Sequence, residues 1–242
     1  MRGKLRKIAR QAVSLANAAL APAGYRMVPS RALLDYHLHP YDSYEQYRQI
    51  QIEHNIRKIN NVWADAQTMD RVAALVRARV GDGPVKGICH GTRNGFEQNY
   101  LNDTHAGFDV IGTDISDTAT DYPNSVVWDF HDTNPDWAGQ FDFVYSNSLD
   151  QGWKPQMALT AWLNQLRPGG VVILELTIDH GPEGASEMDP FGVRPTALPY
   201  VLAEWYGHQV SVSVTKGKKG NMDKDVWLFA IARTVDHVEP LV

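Results

Sequence analysis

A glycine-bearing turn between an apolar strand and a helix constrains this chain more than any other feature of its sequence. Residues 85–97 read VKGICHGTRNGFE, an apolar run followed by a turn with Gly91 and Gly95 and then the start of a helix. Glycines at such a turn let the backbone bend sharply and let a ligand approach closely. About 20 residues downstream, a second apolar run at 108–114 ends in Asp114. This pair is typical of a doubly wound sheet that holds an adenosine-type ligand at the carboxyl ends of its strands.

Alternation of strand and helix patterns after residue 84 predicts the rest of the fold. The run at 171–176 is almost continuously apolar, as expected for a strand buried on both faces. Repeated strand–helix units predict a parallel sheet with right-handed crossovers, and the chain ends on a predicted β-hairpin. The predicted strands are 85–89, 109–113, 125–129, 141–146, 171–176, 208–215 and 225–233, and the predicted helices are 95–105, 154–166 and 196–206.

Residues 1–80 are predicted to form a helical extension or lid, and residues 81–242 the sheet domain. A connector at 21–41 separates a first helix from two further helices, at about 43–60 and 64–80. Tyr44 and Tyr47 share a face of the helix at 43–60. Aromatic residues at this spacing indicate packing, and the alternative is a lid over a ligand pocket.

The first helix is basic and weakly amphipathic. Its apolar positions recur at helical spacing, and no acid precedes Asp35. Either the helix lies on an anionic membrane surface or an acidic partner, or it is a solvated helix packed on the main domain. The cations are Arg2, Lys4, Arg6, Lys7 and Arg10, and the apolar positions are Leu5, Ile8, Ala12, Leu15 and Ala19.

Composition excludes several classes of protein. A net charge of −5 argues against a general nucleic-acid binder, although a basic segment at 216–224 keeps that alternative open. Cys89 is the single cysteine, which excludes an intrachain disulfide and a cysteine metal cluster and fits a reducing, cytoplasmic location. No apolar run approaches the roughly 18 residues that a membrane span requires.

From residue 85 to residue 233 the chain resembles the class I S-adenosylmethionine-dependent methyltransferases. In that family the first loop follows an acid-x-Gly-x-Gly-x-Gly pattern, and Gly91 and Gly95 match its outer glycines. Cys89 stands at the acid and Arg93 at the middle glycine. The first change removes a carboxylate that organises the methionine end of the cofactor, and the second puts a cation near the cofactor carboxylate. The resemblance implies a doubly wound, mostly parallel seven-stranded sheet whose last strand is antiparallel.

The resemblance also implies S-adenosylmethionine as cofactor and S-adenosylhomocysteine as product. Asp114 would accept hydrogen bonds from the ribose hydroxyls, because a carboxylate can accept from both. Asp129 would bind the adenine amine and Phe130 the ring, with Asp132 as an alternative register. The implied cofactor residues are His90, Gly91, Thr92, Arg93, Gly95, Asp114, Ile115, Asp129, Phe130, Asn147 and Ser148.

The implied reaction moves a methyl group to a small-molecule or sugar acceptor, with a hydroxyl oxygen as the expected target. A hydroxyl acceptor requires a base. His180, just after the fifth predicted strand, is the leading candidate, with Asp150 and His131 in reserve. The acidic loop at 179–189 offers oxygen and nitrogen ligands for a divalent ion, but it lacks a recognisable ligand spacing, so no metal is predicted.

Two other functions compete with methyl transfer. An NAD-dependent oxidoreductase also uses an acid after the second strand, but its fingerprint is Gly-x-Gly-x-x-Gly. Here three residues separate Gly91 from Gly95, and the terminal hairpin does not fit. A non-catalytic cofactor-binding or scaffold protein is favoured by the loss of the loop acid and of the middle glycine.

Overall fold

The computed structural model describes residues 2–220 and 222–241. The side chains of residues 2–7, 10 and 32 lie outside this description, so the predicted roles of the first basic residues and of Leu5 fall outside it as well. The elements are α1 (Arg2–Leu20), β1 (Tyr36–Leu38), α2 (Tyr44–Arg57), α3 (Ala66–Val80), β2 (Val85–His90), α4 (Phe96–Thr104), β3 (Phe108–Asp114), β4 (Ser125–Val127), β5 (Phe141–Ser146), α5 (Pro155–Gln165), β6 (Leu166–Thr177), β7 (Phe191–Val193), α6 (Leu198–Tyr206), β8 (Val210–Lys219) and β9 (Lys224–Arg233).

Seven strands form one sheet in the order β4-β3-β2-β5-β6-β9-β8. The strands β2, β3, β4, β5 and β6 pair in parallel. The last strand, β9, is antiparallel to both β6 and β8. The predicted architecture is therefore confirmed, including the antiparallel last strand. The strand order reverses between β2 and β5, because the chain first adds β3 and β4 on one side of β2 and then adds β5 and β6 on the other. In open α/β sheets, ligands bind at such a switch point.

Helices cover both faces of the sheet. On one face, α5 and α6 bury large side chains such as Trp162 and Leu202 against β5 and β6. On the other face, α3 buries Met69, Val72 and Val76 against β2 and β6. The sequence assigns α3 to the N-terminal extension, yet α3 shares a core with the sheet. Of the two helices, α3 therefore lies on a face of the sheet, whereas α2 reaches the carboxyl ends of the strands, where Tyr44 contacts Asp129 after β4.

Two predicted boundaries were wrong. The strand β6 begins at Leu166, before the turn that was predicted to precede it, because Leu166 pairs with Phe141 ahead of an irregularity in the register. The hairpin strands continue through Lys219 and resume at Lys224. Most of the predicted basic loop is therefore strand, and Lys219 is buried against a carboxylate.

A second, two-stranded sheet was not predicted. The strand β1 pairs with β7, which joins the predicted connector at 21–41 to the predicted loop at 177–195. Each strand has three residues, too few for an alternating pattern to identify. Across residues 2–220 and 222–241, no helix combines the length and the apolar character of a membrane span.

Candidate functional site

The loop after β2 has a left-handed backbone at three positions. The φ angles of Gly91, Arg93 and Gly95 are +74°, +50° and +75°. A Cβ on Gly91 would lie 2.6 Å from the Cβ of Ser148, so this position requires glycine. Arg93 thus adopts a left-handed conformation that favours glycine, at the position where the resemblance places a glycine.

Asp114 ends β3 and holds this loop. Its carboxylate accepts hydrogen bonds from the backbone N–H of Arg93 and of Ser116, both at 3.0 Å. Burial raises the pKa of the Asp114 carboxyl, against the opposing effect of these two hydrogen bonds. Asp114 lines a small cavity together with Ile115, and the nucleoside-binding role of the two residues stays a prediction.

The small cavity also reaches Asp129 and Phe130, which follow β4. The Asp129 carboxylate accepts hydrogen bonds from the Tyr44 hydroxyl at 2.7 Å and from the His131 ring at 2.6 Å. Burial alone would raise the pKa of Asp129, but the hydrogen bond and the charge of His131 outweigh burial and lower it. The carboxylate predicted to bind adenine is therefore already engaged by protein groups.

Aromatic side chains of α2 cover the small cavity. Tyr47 is 2% exposed, stacks on Trp153 at 5.9 Å and contacts the edge of His131 at 5.7 Å. The cavity has a volume of about 20 Å³, which holds about one water. Tyr44 and Tyr47 pack on each other, and Tyr47 also stacks on Trp153 and lines the cavity. The packing prediction describes these contacts, and the alternative of a lid stays a prediction. A nucleoside can reach the carboxylates of Asp114 and Asp129 only if the aromatic side chains of α2 move away from the cavity.

A larger cavity adjoins the small one and shares Gly91 and Arg93 with it. Its volume of about 630 Å³ lies in the range of small-molecule sites. Both predicted residues after β5, Asn147 and Ser148, line it, and so does Thr92. The carboxyl ends of β2 and β5 therefore open on a space that can hold an organic ligand.

The two predicted catalytic residues meet at this cavity. His180 Nε2 lies 3.6 Å from Asp150 Oδ2, and both side chains are buried. The backbone N–H of Thr177 donates to His180 Nδ1 at 3.0 Å, so the proton of a neutral ring is on Nε2, facing Asp150. Burial lowers the pKa of His180, which keeps the ring neutral. Burial, with the charge of Asp189, raises the pKa of Asp150 well above its usual range.

Three predicted residues are placed elsewhere. His90 is 1% exposed, and its ring contacts Thr113 Oγ1 at 2.8 Å and Gln165 Oε1 at 2.9 Å in the core. Gly95 shapes the loop and begins α4 without lining either of the two cavities. His131 is engaged with Asp129, away from the larger cavity.

Sequence reasoning missed Glu97, Trp63 and His54, all of which line the larger cavity. Burial raises the pKa of Glu97 to about 7 and lowers the pKa of His54 to about 4. Trp63 packs on His180 at 5.6 Å. An acid in the first turn of a helix has an ordinary explanation in the helix dipole, so Glu97 gave no distinct signal.

The acidic loop and the basic hairpin are largely paired within the protein. Asp179 pairs with Lys224, and Glu183 pairs with Arg194 at 2.8 Å. Within the described residues, no group of three His, Cys, Asp or Glu side chains is placed to hold a metal ion. The hairpin lysines pair with nearby acids, as in the 2.7 Å contact of Lys216 with Asp225 and the 2.6 Å contact of Lys219 with Glu175.

Comparison with known proteins identifies the fold. No protein-family model and no curated protein sequence matches the chain. A solved structure of the Burkholderia thailandensis 1,6-didemethyltoxoflavin-N1-methyltransferase, with 1,6-didemethyltoxoflavin and S-adenosylhomocysteine bound, is similar at a TM-score of 0.62 and 15% identity, over 81% of this chain and 92% of that one. The N-methyltransferase NodS from Bradyrhizobium japonicum, in complex with S-adenosylhomocysteine, is similar at a TM-score of 0.54 and 14% identity, over 76% of this chain and 99% of that one.

This chain has the class I S-adenosylmethionine-dependent methyltransferase fold. The [4+2]-cyclase SpnF has a similar structure, with a TM-score of 0.53 and 14% identity, over 82% of this chain and 98% of that one. The class I fold therefore supports more than one reaction, and the function must be argued from the site.

Proposed function

We propose that this protein binds S-adenosylmethionine at the carboxyl ends of β2, β3 and β5 and transfers a methyl group to a small-molecule or sugar acceptor. The observation that carries the proposal is the loop after β2, which is tied to Asp114 and opens on the larger cavity. Two proteins of the same fold were crystallised with S-adenosylhomocysteine, which supports this choice of cofactor.

The chain offers a group for each part of this cofactor. Asp114 would accept hydrogen bonds from the ribose hydroxyls, and Asp129 from the adenine amine, once Tyr44 releases it. Arg93 lines both cavities and would face the cofactor carboxylate. When bound, the cofactor supplies a methyl group on a sulfonium sulfur, and the neutral thioether is a good leaving group. The protein then mainly has to position the acceptor and exclude water.

We assign the base to Asp150 and a supporting role to His180, for a hydroxyl acceptor. The Nε2 of a neutral His180 carries a proton and cannot accept another, because Nδ1 is held by the Thr177 N–H. Asp150 borders the cavity, and its raised pKa makes it a stronger base once it is ionised. His180 would donate from Nε2 and orient the carboxylate.

A pH profile of methyl transfer tests this assignment. Because burial raises the pKa of Asp150 well above its usual range, the rate should rise with pH as the carboxyl ionises, at a higher pH than an ordinary aspartate would require. Asp150→Asn should lower kcat by about 100-fold or more and abolish that increase. His180→Gln should lower kcat less. A variant without Asp150 that keeps the rate and the profile of the wild type would exclude this base.

Calorimetry tests the cofactor assignment. S-adenosylhomocysteine should bind the wild type, NAD should not, and Asp114→Asn should weaken S-adenosylhomocysteine by about 10- to 100-fold, as expected from the loss of charge-assisted hydrogen bonds. Preferential binding of NAD would support the oxidoreductase instead. Binding of S-adenosylhomocysteine with no methyl transfer to a panel of hydroxyl, amine and carbon acceptors would support a non-catalytic cofactor-binding protein.

A further inference from the structure

Glu97 is a buried acid that faces the larger cavity. It lies in the first turn of α4, is 5% exposed and lines the cavity. Its Oε1 accepts a hydrogen bond from Asn147 Nδ2 at 3.1 Å. Its Oε2 has no hydrogen-bond partner among the residues that the structure describes. A buried carboxylate oxygen without a partner is costly, so its presence requires an explanation.

The position of Glu97 relates it to the missing acid of the loop. Cys89, which replaces that acid at the end of β2, is fully buried. Asn147, which donates to Glu97, follows Ser146, and Ser146 is paired with His90 in the register of β5 and β2. The Glu97 carboxyl therefore lies at the carboxyl end of β2, where Cys89 lies, and its charge adds to burial in raising the pKa of the Cys89 thiol. An acidic side chain is therefore retained at the end of β2, but a different residue carries it.

Arg93 provides the opposite charge on the same rim. It lies in the loop four residues before Glu97 and lines the same cavity, and its Nη1 donates to the carbonyl of Asn61 at 3.2 Å. Asn61 also lines the cavity, so the guanidinium is held at its edge. An acidic and a cationic side chain that line one cavity are complementary to the two charges of an α-amino acid.

We propose that Glu97 accepts a hydrogen bond from the α-ammonium of the amino-acid end of the cofactor and thereby replaces the carboxylate that Cys89 lacks. Arg93 faces the α-carboxylate of the same ligand. This inference rests on the proposed function, because it assigns the amino-acid end of the cofactor to the part of the cavity that Glu97 lines. The unpartnered Oε2 is then the acceptor for that ammonium.

Calorimetry with two ligands tests the inference. S-adenosylhomocysteine carries the amino-acid end, whereas 5′-methylthioadenosine has the same nucleoside thioether without it. Glu97→Gln should lower the affinity for S-adenosylhomocysteine at least tenfold and change that for 5′-methylthioadenosine less than twofold. Glu97→Asp keeps the charge and should retain more affinity than Glu97→Gln. Asp103→Asn removes an exposed acid from the same helix and is the matched control, with no effect expected on either ligand.

The outcomes separate this inference from the proposed function. If the wild type binds both ligands and Glu97→Gln changes neither, the inference is wrong and the proposed function stands. If Glu97→Gln weakens both ligands equally, Glu97 has a structural role only, and the inference is again wrong. If the wild type binds neither ligand, the proposed function fails and the inference fails with it.

Discussion

Replacing Glu97 by glutamine should stabilise the protein by an amount that grows with pH. The pKa of Glu97 is raised from 4.5 to about 7, chiefly by burial. Below the pKa of glutamate in the unfolded chain, Glu97 is protonated in both the folded and the unfolded protein, so its ionisation does not lower the free energy of unfolding. Between the two pKa values, 4.5 and about 7, Glu97 keeps its proton only in the folded protein, so the free energy of unfolding falls as pH rises. Above about pH 7 the cost is constant, and the shift corresponds to roughly 3 kcal/mol.

Urea denaturation of the wild type and of Glu97→Gln, followed by tryptophan fluorescence between about pH 5 and pH 8, measures this difference. Glutamine has nearly the same shape and can still accept from Asn147, so packing is conserved and other titrating groups cancel. The difference in unfolding free energy should grow by about 2–3 kcal/mol across this range, since a small part of the effect is already present at pH 5. The exposed control Asp103→Asn should show a flat difference. A flat difference for Glu97→Gln as well would refute the reasoning, because the burial of a charged Glu97 would then carry no cost.

Three further changes test other parts of the structure. Tyr44→Phe removes the hydroxyl that occupies Asp129, and it should raise the affinity for 5′-methylthioadenosine about fivefold in calorimetry; weaker binding would show that Tyr44 contacts the ligand instead. Lys219→Met leaves a buried carboxylate unpaired and should destabilise the protein by about 3–5 kcal/mol in urea, whereas an unchanged midpoint would mean that the pair is solvated. The double variant Ile8→Glu, Leu15→Glu removes two exposed apolar side chains of α1 and should reduce sedimentation of the full chain with anionic vesicles but not its low level with neutral vesicles; equal sedimentation would exclude contact through α1.

The centre of the fold could be predicted from the sequence because its signals are local and strong. A strand such as β6 is buried on both faces, so its run of Val, Ile and Leu has few other interpretations. The edges could not be predicted as well. The start of β6 depends on pairing with Phe141, and β1 exists only because β7 lies beside it. Such pairings are set by tertiary contacts rather than by the pattern of either segment.

The same distinction applies to the site. The loop at Gly91 and its partner Asp114 could be predicted, since a left-handed turn and a carboxylate at a strand end leave a local signature. The engagement of Asp129 by Tyr44 could not, because the two residues are 85 positions apart in the chain. His90 was misplaced for a related reason: its neighbours in the core come from β3 and α5, which no local pattern reveals.

The roles proposed for His180 and Asp150 show most clearly what cannot be predicted from the sequence. The sequence brings His180 and Asp150 to the same edge of the sheet, and a histidine is the usual choice of base near neutral pH. One backbone hydrogen bond changes that choice, since the Thr177 N–H occupies Nδ1 and leaves the proton of a neutral ring on Nε2. Burial then lowers the pKa of the histidine and raises that of the acid. Proton acceptance therefore moves from the imidazole to the carboxylate, although neither residue has changed its place in the chain.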